Sequence, residues 1–71
     1  MTNSCALREI IKEKGLKLKF LAEQIGVTPA GFSKKIENEL EFKPSEIKKL
    51  CDVLGLNRKQ MFEIFFANNV D

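Results

Sequence analysis

The stretch Thr28-Pro29-Ala30-Gly31-Phe32-Ser33-Lys34-Lys35-Ile36-Glu37 sets short polar side chains, two lysines and two small residues around a pair of large apolar ones. Placed on a helix with Phe32 at zero, Ile36 falls near 40°, while Ser33, Glu37, Ala30 and Lys34 gather at roughly 100°, 140°, 160° and 200°. One side is apolar, and the other carries hydrogen-bonding groups on short or flexible stems. Such a face has the chemistry of base-edge recognition. Ala30 can touch a thymine methyl, Ser33 can donate or accept, and Lys34 can reach O6 or N7 of guanine. Glu37 either accepts from a cytosine amino group or lies past the groove and repels phosphate. Thr28 adds a hydroxyl at the helix start, and Gly31 a backbone amide that the helix dipole aims at a phosphate. Thr28, Ala30, Ser33, Lys34 and Glu37 are therefore the candidate base contacts. Lys17, Lys19, Gly31, Lys35 and Lys43 are the candidate phosphate contacts. The competing interpretation of paired lysines is a solvated surface, and placement on the outer face favours contact for Lys34.

Other chemistries lack their residues. There is no histidine, and Cys5 and Cys51 stand far apart without a Cys-x-x-Cys pair, so no zinc site is expected. No glycine-rich phosphate loop occurs, and the carboxylates are spread along the chain, so neither an enzyme nor a cofactor is expected. Seventy-one residues leave room for one domain over 1–71 with a thin core and no second domain for a small-molecule effector. The start lacks the pattern of a signal peptide, and no apolar run approaches the roughly 20 residues of a membrane span. A cytoplasmic protein of a bacterial or phage-infected cell is the expectation. The net charge of +2 conceals an asymmetry: residues 1–36 carry +4 and the remainder −2. A phosphate-facing surface belongs in the first half.

Five helices have to position these groups. Ala6, Leu7, Ile10 and Ile11 recur at helical spacing before Gly15, predicting a helix at about 4–14. Leu18, Leu21, Ala22 and Ile25 form a stripe ending at Gly26, for a helix at about 17–25. Leu18 fits that stripe; Phe20 lies beside it, and the sequence leaves open whether it packs under Leu16 or stays exposed. Thr28 as cap and Pro29 in the first turn open a third helix at about 29–37, with Asn38 able to adopt a left-handed cap. A loop over Glu39–Lys43 follows. Pro44 and Glu46 start a helix at about 45–54 carrying Ile47, Leu50, Cys51 and Leu54 and stopping at Gly55. Asn57 and Gln60 resemble a capping box for a last helix at about 58–66. No strand is predicted, so the fold class is all-α.

Within this order, Leu21 to Ile36 is a bihelical unit with a tight turn. Ala22 lets the helices approach, Gly26 permits a positive backbone angle, and Val27 plugs the corner. The segment resembles the helix-turn-helix of the phage Cro and lambda-repressor-like (XRE-type) family, and the five-helix order matches that fold across nearly the whole chain. Phe32-Ser33-Lys34-Lys35-Ile36, with Glu41-Phe42 and Ser45-Glu46-Ile47, is further similar to small regulators of phages and mobile elements of Gram-positive bacteria. In one place the chain departs from the family: Leu18 stands where a glutamine often grips the DNA backbone, which puts that phosphate contact in question. The resemblance implies a compact five-helix domain that binds double-stranded DNA and controls transcription, as a repressor acting through a homodimer. Leu40, Met61, Phe62, Phe65 and Phe66 are the candidate dimer contacts, although the apolar last helix also fits a role in sealing the monomer core. The alternative is a helix-turn-helix module that binds another protein, such as an antitoxin or anti-repressor partner.

Overall fold

The computed structural model describes residues 1–66. Residues 67–71 of the domain expected over 1–71 lie outside the described residues. Five helices follow one another: α1 (Ser4–Lys14), α2 (Leu18–Ile25), α3 (Pro29–Ile36), α4 (Pro44–Leu54) and α5 (Arg58–Phe65). None of the described helices is long and apolar enough to cross a membrane.

Local chemistry sets the boundaries. The Asn3 side chain accepts from the Ala6 amide at 3.1 Å and caps α1, a role the sequence had not suggested for it. The Asn57 carboxamide accepts from the Gln60 amide at 2.8 Å, while Gln60 accepts from the Asn57 amide at 3.0 Å, completing the capping box at α5. Two helices end one residue earlier than the pattern suggested, at Ile36 and Phe65. At the first, Asn38 takes the left-handed conformation with φ +67°.

Each helix lends one apolar stripe to a shared core of Leu7, Ile11, Leu21, Ala22, Ile25, Phe32, Ile36, Ile47, Leu50, Cys51, Leu54, Ile64 and Phe65. Phe32 is fully buried and meets Phe42 edge-on at 6.0 Å, and Phe42 meets Phe65 in the same manner at 5.5 Å. This aromatic chain carries packing from α3 through the α3–α4 loop to α5. Leu18 is half-buried against the core, as its place in the stripe predicts, and Phe20 is exposed, which closes the question the sequence left about its packing. Burial pushes the Cys51 thiol up, and the neighbouring Asp52 charge adds to it, so this cysteine is a packing group with little thiolate character.

The first residues are tied in by polar contacts. Asn38 accepts from the Thr2 amide at 2.8 Å and donates to the Thr2 carbonyl at 2.9 Å, gripping both backbone polar groups of that residue. The Ser4 hydroxyl donates to the Ile36 carbonyl, and the Asn3 amide donates to the Ile64 carbonyl at 2.7 Å. The end of α3 is thereby fastened to the entry of α1, and that entry to the end of α5.

Candidate nucleic-acid interface

Between α2 and α3 the chain reverses in three residues. Gly26 has φ +80° and its amide bonds the carbonyls of Ala22 and Glu23. A side chain added there would meet nothing within 4 Å, so the need for glycine is conformational. Half-buried Val27 packs against the core at the corner, and Ala22, wholly buried, lets α3 lie close. Thr28 Oγ1 accepts from the Gly31 amide at 3.0 Å and starts α3. A Cβ on Gly31 would sit 3.0 Å from that oxygen, so the small residue serves the cap.

With Phe32 and Ile36 fixed inward, the opposite side of α3 is open: Ala30 and Lys34 are exposed and Ser33 is half-buried beside them. Lys17, Lys19 and Lys43, all exposed, stand at the entry of α2, in its first turn and at the entry of α4. A bihelical turn whose second helix shows small, hydroxyl and cationic groups outward has the dimensions and the chemistry that a major groove admits.

Compared with known proteins, residues 6–66 match a family model described as the Cro/C1-type HTH DNA-binding domain. The chain belongs to this family. It is accordingly a DNA-binding protein of the kind that regulates transcription. No curated protein and no solved structure matches the chain significantly.

Several side chains of this Cro/C1-type domain are committed elsewhere, and the site is revised accordingly. Lys35 is removed from the phosphate set because it is buried: its Nζ donates to the Glu41 carbonyl at 3.0 Å and pairs with Glu46 Oε1 at 2.9 Å. Glu37 is drawn to α1, where its carboxylate accepts from the Arg8 guanidinium, and helix geometry ends before it, so it no longer shares the outward face. The Gly31 amide is spent on the Thr28 cap and is not free for phosphate. Phe65, placed among the dimer contacts, is 4% exposed and belongs to the monomer core; Met61 is half-buried against that core. Leu40, Phe62 and Phe66 remain exposed.

Sequence reasoning missed the burial of Lys35, although a signal for it was there. On the same wheel Lys35 lies at about 300°, at the edge of the buried face rather than opposite it. Burial alone would raise the Glu46 carboxyl, but the hydrogen bonds from Lys35 and from the Lys43 amide, with the charges of both lysines, hold it below its ordinary value. Glu46 thus stays ionised inside the domain. Both ion pairs found among the described residues join a cation of the first half to an acid of the second. Among the described residues, the exposed Lys17, Lys19 and Lys34 take part in no ion pair.

Proposed function

We propose that the protein represses transcription by occluding promoter DNA as a homodimer on a palindromic operator, with α3 of each copy in the major groove of one half-site. The observation that carries this is the uncovered side of α3. Ala30, Ser33 and Lys34 form the base-reading set, with the Thr28 hydroxyl at its leading end, and Lys17, Lys19 and Lys43 hold phosphates. An eight-residue helix is about 12 Å long, so one copy reads only a few base pairs. The longest dimension of the described domain, 32 Å, is close to the roughly 34 Å between half-sites one helical turn apart. Two copies side by side therefore suit adjacent turns of one face of the duplex. Leu40, Phe62 and Phe66, with Met61 at the margin, supply the contact between them; such a dimer acts in the bacterial cytoplasm and needs no cofactor.

Selection of bound duplexes from a random pool tests the reading. A palindromic consensus, bound by two chains per duplex in sedimentation, is the expected result. Recovery of no preferred sequence at low ionic strength would refute it. Exposed Leu40, Phe62 and Phe66 also support a reading from another class, a module that docks an antitoxin or anti-repressor partner. A flat salt dependence of DNA affinity together with a tight protein complex would select that one, because released counterions make true duplex binding steep in salt.

A further inference from the structure

We infer that Lys35 is a positioning residue: its buried pair with Glu46 sets the roll of α3 about its own axis, and so decides which base edges Lys34, Ser33 and Ala30 meet. This rests on the proposal that α3 reads bases.

The geometry is a triangulation. The Lys35 ammonium leaves α3 and is held at two points, the Glu41 carbonyl in the α3–α4 loop and the Glu46 carboxylate in the first turn of α4. The carboxylate is itself fixed, since Glu46 Oε1 also accepts from the Lys43 amide at 2.9 Å. Both side chains are 10% exposed, so the pair is buried within the domain. The Phe42 ring, 6.0 Å from Nζ, closes one side.

The buried Phe32 and Ile36 fix which side of α3 faces inward, but burial itself is non-directional and defines the exact roll less sharply than a hydrogen-bonded contact does. A buried ion pair adds little net stability over an apolar replacement, and where such pairs are retained they can confer conformational specificity. Here the direction defined is the angle at which Lys34, one residue away, leaves the surface. The side-chain envelope lies about 5 to 6 Å from the helix axis, so a roll of about 15° moves an outer atom by about 1.5 Å. That shift exceeds the roughly 0.5 Å span of good N–H···O distances.

The test compares affinity for the site recovered by random-pool selection with affinity for a scrambled duplex of equal length, at one fixed salt concentration. The double variant Lys35→Met/Glu46→Leu removes both charges together and avoids stranding one of them. Its selectivity ratio is expected to fall by about tenfold, the worth of one mismatched base pair, with scrambled-duplex affinity unchanged. Glu46→Asp keeps both charges and shortens the stem by one carbon, which covers the case of a double variant that does not fold. It is expected to lower the ratio several-fold at constant scrambled-duplex affinity. A parental ratio in a folded variant overturns the inference, and so does an equal loss on both duplexes, which would make Lys35 a plain phosphate contact. A parental chain that prefers no duplex overturns the base-reading role of α3 itself, and this would be visible before any variant is made.

Discussion

At the residue scale, the outer face of α3 separates two kinds of lysine. Lys34→Ala is expected to weaken binding to the preferred site by about 1 to 3 kcal/mol and to relax its sequence, whereas Lys17→Ala should weaken all duplexes alike and reduce the salt slope by about 1. Parallel titrations on selected and scrambled DNA distinguish the two, and equal losses would contradict the division. Which lysine does what was only partly visible in the sequence. The wheel placed Ala30 and Lys34 outward because Phe32 and Ile36 defined inward. It could not show that Glu37 would meet Arg8 or that Lys35 would meet Glu46, since both partners lie beyond the reach of helical periodicity. The buried carboxylate carries its own prediction. Glu46 titrates lower in the folded chain than its ordinary value of 4.5, so its contribution to stability is complete above that pH and is lost as pH falls through the folded value. Thermal melts across roughly pH 5 to 3 should show a steeper decline for the parental chain than for Glu46→Gln, and identical slopes would deny the pair this role.

At the scale of elements, glycine, proline and capping residues punctuated the chain clearly enough for five helices to be read. What stayed hidden were the ties between elements. Phe42 sits in the segment read simply as a loop, yet it links Phe32 to Phe65. Asn38 was recognised for its backbone angle and not for its grip on Thr2. Both depend on distant partners that no local pattern encodes. The reversal between α2 and α3 is open to a direct test. Gly26→Val places a branched side chain at φ +80° in otherwise open space. The cost is therefore one of backbone strain, about 2 kcal/mol, read as a lower midpoint in chemical denaturation. An unchanged midpoint would mean that the turn relaxes without loss. Phe42→Ala should cost a comparable amount, about 2 kcal/mol, because the ring is half-buried rather than enclosed.

For the whole molecule, the question is how a chain with a net charge of only +2 holds a polyanion. The ion pairs Arg8–Glu37 and Lys35–Glu46 match two second-half acids with first-half cations, and no ion pair among the described residues involves another lysine of the first half. Phe62, 52% exposed, offers the cleanest probe of self-association. Phe62→Asp is expected to keep the fold and shift sedimentation toward monomer, with a loss of operator affinity that high protein concentration restores. Unaltered sedimentation would move the contact to another face. The amide of Asn3 has a further consequence, because its acceptor is the carbonyl of Ile64, near the far end of the described chain. During synthesis the contact that closes the entry of α1 waits for α5, so this tie forms only after the helix-turn-helix itself has been translated.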